Sequence, residues 1–198
     1  VQQYTNVSLY DYAVSGAVCS STFSSSKRSG IKEDQIPAFL TDNAFVSNVT
    51  LKPALSNPPE ETVYAIWIGT NDLGSAVFFT EKQPRTLTIM DYVSCVYDQL
   101  DRLYAIGARK FVLMNIAPLD LTPQYALPEN GGLINAQYWK DKSSYNANLT
   151  QNSEKMREYV ALVNAVYDAQ TPKYVKISNR YPKSSFAVFD IHSLVCIA

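Results

Sequence analysis

The stretch Ala65-Ile66-Trp67-Ile68-Gly69-Thr70-Asn71-Asp72-Leu73-Gly74 restricts the possible folds of this chain more than any other. An apolar run breaks into a polar loop held between two glycines, which reads as a buried strand ending in a tight turn. In α/β proteins, ligands bind outside the carboxyl ends of parallel strands. Asn71 then presents a neutral carboxamide with two donor hydrogens at the mouth of a cleft, and Gly69 and Asp72 shape the loop that carries it.

The rest of the chain supplies the context that such a strand needs. With 198 residues, 46% hydrophobic and 18% charged, the sequence suits a single domain over 1–198 with a substantial core. Seventeen basic residues against eighteen acidic ones, with no basic block, leave no electrostatic footprint for a nucleic-acid partner. No apolar run is long enough to span a bilayer, and no signal-peptide pattern opens the chain. Cys19, Cys95 and Cys196 form no CxxC pair, which argues against a zinc knuckle or a thioredoxin-type site, and no metal or cofactor is expected. Asn6-Val7-Ser8, Asn48-Val49-Thr50 and Asn148-Leu149-Thr150 are glycosylation sequons if the protein is secreted.

In chain order, Val7 to Ala13 reads as a short strand running into the small-residue break Ser15-Gly16-Ala17. The serine-rich stretch Ser20 to Ser29 reads as a loop. Ile31 to Phe45 carries Ile36, Phe39, Leu40 and Ala44 at helical spacing. Leu87 to Ile106 is the longest helix expected, with Val93, Val96, Leu100 and Leu103 as its apolar stripe and Gly107 as its cap. Lys110 to Ile116 reads as a second buried strand. The polar and aromatic connection Ala117 to Tyr145 is long enough to wall a cleft. A helix over Asn152 to Ala169, stopped by Pro172, and a strand over Ser185 to Ile191 follow. The expected pattern is β-α-β-α-β-α-β, a parallel sheet with helices on both faces.

Leu9-Tyr10-Asp11-Tyr12-Ala13-Val14-Ser15-Gly16-Ala17, some fifty residues ahead of Ile66-Trp67-Ile68-Gly69-Thr70-Asn71-Asp72, resembles the second and third blocks of the GDSL or SGNH hydrolases. The resemblance is greatest to the fungal acetyl esterases of carbohydrate esterase family sixteen. Phe186-Ala187-Val188-Phe189-Asp190 with Ser193-Leu194 is similar to the last central strand of that family, so the resemblance covers nearly the whole chain. It implies a flavodoxin-like, three-layer α/β/α fold and ester hydrolysis through a serine acyl-enzyme. It also implies a small-molecule or carbohydrate ester as substrate and an extracellular location. Gly16 takes the place of the family's glycine oxyanion donor and Asn71 that of its asparagine donor.

The same comparison leaves the nucleophile and base unassigned. The chain has no Gly-Asp-Ser block and no Asp-x-x-His block, so the expectation is an SGNH fold incomplete at both ends, retaining the oxyanion half of the site and inactive. Ser15 lacks the Gly-x-Ser-x-Gly elbow that exposes a nucleophile and is expected in a strand-end turn. Asp190-Ile191-His192 invites assignment as an Asp–His pair, but two positions separate the roles instead of three, and His192 is read as a strand-end residue. The alternatives are a non-catalytic carbohydrate-binding or structural derivative of the fold, and an active esterase using Ser15 and His192.

Overall fold

A computed structural model describes residues 7–46, 53, 55 and 57–197. Three parallel strands form its sheet, β1 (Tyr64–Ile66), β2 (Lys110–Met114) and β3 (Ser185–Phe189), side by side in chain order. Register pairs Ile66 with Leu113, and Leu113 with Val188. The helices are α1 (Ile36–Ala44), α2 (Thr70–Leu73), α3 (Ile89–Ala105), α4 (Lys142–Tyr145), α5 (Leu149–Pro172) and α6 (Ile191–Ile197). The α/β class and the parallel sheet are those expected from the sequence.

The two long helices are crossovers, α3 between β1 and β2 and α5 between β2 and β3. They pack directly on each other: the Tyr92 and Tyr167 hydroxyls lie 2.9 Å apart, and the Tyr97 hydroxyl lies 2.8 Å from that of Thr171. Crossovers of one hand between strands in sequential order place both helices on the same face of the sheet. Ile66, Phe111 and Leu113 on that face are buried, and Phe111 stacks on Phe186 at 4.6 Å. On the opposite face Trp67 and Phe189 are exposed (55% and 47%), so the sheet is covered by helices chiefly on one side.

Local chemistry explains the helix limits. Thr88 and Asp91 form a reciprocal capping box at the start of α3. At its end Gly107, at φ +104°, lets its own N–H and that of Ala108 return to Tyr104 and Leu103. Asn148 accepts the Gln151 N–H and caps α5. Asn164, inside α5, accepts the Ile116 N–H at 2.8 Å and donates to the Ile116 carbonyl at 3.0 Å, which fastens that helix to the chain leaving β2.

Several expected elements differ from those found. Val7 to Ala13 forms no strand, because among the described residues no neighbouring strand pairs with it, and Val7, Leu9 and Tyr10 lie exposed. The described sheet accordingly has three strands where four were expected. The third strand ends at Phe189, and Asp190 to His192 begin a helix. α5 continues to Pro172, past the expected end at Ala169, and a π-helical turn over Lys173–Ile177 follows it directly, so Pro172 does not stop the helical path as expected. The connection 117–145 is broken by tight turns over Leu119–Leu121 and Pro128–Asn130 and by the single-turn α4.

Candidate active site

The loop after β1 is shaped by a glycine that no other residue can replace. Gly69 has φ +129°, and a Cβ there would strike Ile116 Cδ1 and the Tyr92 hydroxyl. Tyr92 is held in place by donating to the Ile68 carbonyl at 2.8 Å. Pressed between α3 and the exit of β2, the chain turns sharply and Thr70–Leu73 winds into one helical turn, with the Leu73 N–H bonded to the Gly69 carbonyl at 2.8 Å. The turn divides its two polar residues: Asn71 is half-buried at the surface, and Asp72 points into the protein with no exposure.

Gly16 reaches the same place from the other end of the chain. It sits at φ +79° in a turn closed by the Ala17 N–H on the Val14 carbonyl, 3.2 Å. Arg28 joins it to Asn71. One guanidinium nitrogen, Nη1, donates to the Gly16 carbonyl at 2.8 Å and to Asn71 Oδ1 at 3.3 Å. Asn71 Nδ2 donates to the Ala17 carbonyl at 3.0 Å. With a donor on one side of the amide and an acceptor on the other, its orientation is fixed by chemistry. One Asn71 N–H remains uncommitted, and the Gly16 N–H meets no acceptor among the described residues. Two neutral donors thus lie on loops cross-linked by one arginine.

Asp72 holds this pair of loops from below. Its Oδ1 accepts the Cys19 N–H at 2.9 Å, while Oδ2 is buried without a partner. Burial drives the carboxyl pKa up to about 7, against smaller opposing effects from the Cys19 N–H and the Arg28 charge. Cys19 is itself bonded to Cys95 of α3, so the segment that follows Gly16 is tied covalently to the longest crossover but one.

The remaining sequence-selected residues lie elsewhere. Ser15 is exposed in the Val14–Ala17 turn, not at a strand end. Asp190 precedes the first turn of α6, where Oδ1 accepts the Ser193 N–H at 3.0 Å and an Asn115 Nδ2 hydrogen at 2.8 Å. Hydrogen bonds from the Ser193 hydroxyl and N–H, and from Asn115, hold its pKa down to about 2. His192 belongs to the first turn of α6, not to a strand end, and its backbone N–H donates to Asn115 Oδ1 at 2.9 Å. Among the described residues no serine hydroxyl is hydrogen-bonded to the His192 imidazole. The structure therefore brings Gly16, Asn71, Gly69 and Asp72 together and leaves Ser15, Asp190 and His192 in separate roles. Asn148 is exposed at the head of α5; Asn6 and Asn48 lie outside the described residues.

Sequence reasoning passed over Arg28 and Asn115. Arg28 lies in a serine-rich loop with no periodicity, and its partners are 12 and 43 residues away. Asn115 carried a faint signal: a carboxamide ending an otherwise apolar strand is out of place unless its hydrogen bonds are needed there. Among the described residues, no helix is long and apolar enough to cross a membrane, and no group of three or more His, Cys, Asp or Glu is arranged to hold a metal ion.

The chain is 35% identical to an acetylesterase of Hypocrea jecorina over 202 aligned residues, which cover 98% of the chain and 56% of that protein. It is 34% identical to an acetylesterase of Thermothelomyces thermophilus over 74 residues, 36% of the chain and 24% of that relative. The chain thus spans little more than half the length of the first of these curated relatives. The family model described as GDSL-like Lipase/Acylhydrolase matches residues 1–195, and the chain belongs to that family.

Proposed function

We propose that the protein contributes the oxyanion-binding half of a carboxylic ester hydrolase site, acting on acetyl esters of carbohydrates. The observation that carries this reading is the Arg28 bridge, which sets the Gly16 and Asn71 donors on adjoining loops while leaving an N–H of each uncommitted. In the acyl-transfer reaction, attack on the ester carbonyl places negative charge on its oxygen, and the Gly16 N–H and Asn71 Nδ2–H receive that charge. Fixed donors need no reorganisation as the charge forms, and losing one costs about 3–4 kcal/mol of transition-state stabilisation. The names of the acetylesterase relatives support the acetyl group, and the Cys19–Cys95 disulfide supports an oxidising, extracellular setting.

Neither Ser15 nor His192 supplies the nucleophile or base in this reading, so the 198-residue chain by itself does not turn over esters. Two assays test it. The chain alone should hydrolyse p-nitrophenyl acetate no faster than its Ser15→Ala and His192→Ala variants; turnover abolished by either change refutes this assignment. A chimera that adds the segments of the Hypocrea jecorina relative lying outside the matched region should be active. Asn71→Ala should lower its kcat about 10²- to 10³-fold, and an unchanged kcat refutes the oxyanion role. Saturable glycan binding by an inactive chimera would instead favour a carbohydrate-binding derivative.

A further inference from the structure

Arg28 also forms part of a cleft of about 450 Å³ beside the Gly16–Asn71 pair. One wall is the loop Ser25, Ser26 and Arg28; the other is the Gln137 to Asp141 stretch of the long connection; Ser75 and Ala76 belong to the segment just past Asn71. Three cationic residues line it, Arg28, Lys82 and Lys140, against one carboxylate, Asp141. Asp141 is 4.0 Å from Lys82. Lys140 has no ion pair or hydrogen bond among the described residues, and Arg28 has no carboxylate in ion-pair contact; its Nη2 makes no protein hydrogen bond. The lining therefore carries one cation without an ion-pair contact on each wall, with the buried Asp72 carboxyl within electrostatic reach of Arg28.

The rim of the cleft points to its occupant. Tyr138, 80% exposed at the rim, offers an aromatic face of the kind on which a sugar ring can rest, and Ser25, Ser26 and Gln137 offer the short polar groups that hydroxyls pair with.

We propose that this cleft binds the carboxylate-bearing sugar unit of an acidic glycan, with Arg28 and Lys140 on its carboxylate. The inference rests on the carbohydrate-ester reading and narrows it to uronate-containing substrates. Arg28 then has two tasks, since the guanidinium that meets the sugar's charge also holds the Asn71 amide in place. A planar fork suits both better than an ammonium does. Occupation of the cleft places the neighbouring sugar's ester beside Gly16 and Asn71.

The test is a binding experiment on the unmodified 198-residue chain, so it needs no turnover and its outcome is separate from that of the esterase assays. Methyl β-D-glucuronide, methyl β-D-glucoside and inorganic sulfate are titrated into 15N-labelled protein. The glucuronide should bind at least about fivefold more tightly than the glucoside and shift the Tyr138, Trp139 and Lys140 amides. Lys140→Gln, at an exposed and unpartnered side chain, should weaken glucuronide binding about three- to tenfold and leave the glucoside unchanged. Equal affinity for the two glycosides overturns the role of charge. Sulfate binding as tight as the glucuronide overturns the sugar assignment. No shifts in the cleft at tens of millimolar glucuronide overturns the site.

Discussion

The Asp72 carboxylate accepts the Cys19 backbone N–H across 53 residues of sequence, at 2.9 Å and in a fully buried setting. The second carboxylate oxygen has no partner, and burial raises the pKa by more than the Cys19 N–H lowers it. A carboxyl with a raised pKa stabilises the fold fully below its unfolded value near 3.8, and the contribution is lost as pH rises through about 7. Asp72→Asn keeps an oxygen for the Cys19 N–H and removes the charge. The stability of wild type relative to this variant, from urea unfolding, should fall between pH 4 and pH 8 by roughly 2–4 kcal/mol. A constant difference over that range would show that the carboxyl does not titrate there.

Gly69 should tolerate no side chain. Gly69→Ala places a methyl group against Ile116 Cδ1 and the Tyr92 hydroxyl, at a φ of +129° that L-residues avoid. The expected loss is about 2–4 kcal/mol in unfolding free energy, combining backbone strain with overpacking. Gly131→Ala is the control: it shares a positive φ, but nothing lies within 4 Å of its Cβ position, so only the smaller backbone cost should be measured.

Removing the Arg28 clamp should free the Asn71 amide. In Arg28→Met, Asn71 Oδ1 loses its donor while Nδ2 keeps the Ala17 carbonyl. The Asn71 side-chain amide hydrogens should exchange with solvent roughly tenfold faster, as expected from the loss of one charge-assisted hydrogen bond. An unchanged exchange rate at unchanged global stability would mean that Ala17 alone holds the amide.

The Cys19–Cys95 bond closes a separation of 76 residues, for which the chain-entropy argument gives a stabilisation of roughly 4 kcal/mol. Cys19→Ser with Cys95→Ser should therefore lower the unfolding free energy by about 2–5 kcal/mol. Cys196 is exposed and unpaired, so the native oxidised chain should titrate one thiol with Ellman's reagent and gain two more only after reduction.

The parts of this architecture readable from sequence are those encoded by local pattern. The apolar stripe from Val93 to Leu103 and the glycine at 107 define α3 nearly to the residue, because periodicity and a C-terminal glycine are both short-range signals. Phe111 and Leu113 between charge and proline define β2 in the same way. Val7 to Ala13 has an equally strand-like pattern, but a strand exists only where a neighbour bonds to it. Asp190 was open to misreading because an aspartate two residues before a histidine resembles half of a catalytic relay, whereas its carboxylate serves the start of α6 and the Asn115 amide. In the site, Gly16 and Asn71 were legible through the family blocks that contain them. Arg28 was not, since its role comes from where a serine-rich loop folds back, and no short-range pattern records that.

The Asn164 amide, set into the middle of α5, offers a donor and an acceptor to the peptide of Ile116 as a further extended chain would. It thereby works as an index pin between helix and sheet. If β2 slipped by one residue against its neighbours, the peptide facing Asn164 would be that of Asn115 or Ala117, turned the other way, and both bonds would be lost at once. The position of α5 along the sheet is therefore set in discrete steps, and with it the level at which Tyr167 meets Tyr92 beneath Gly69.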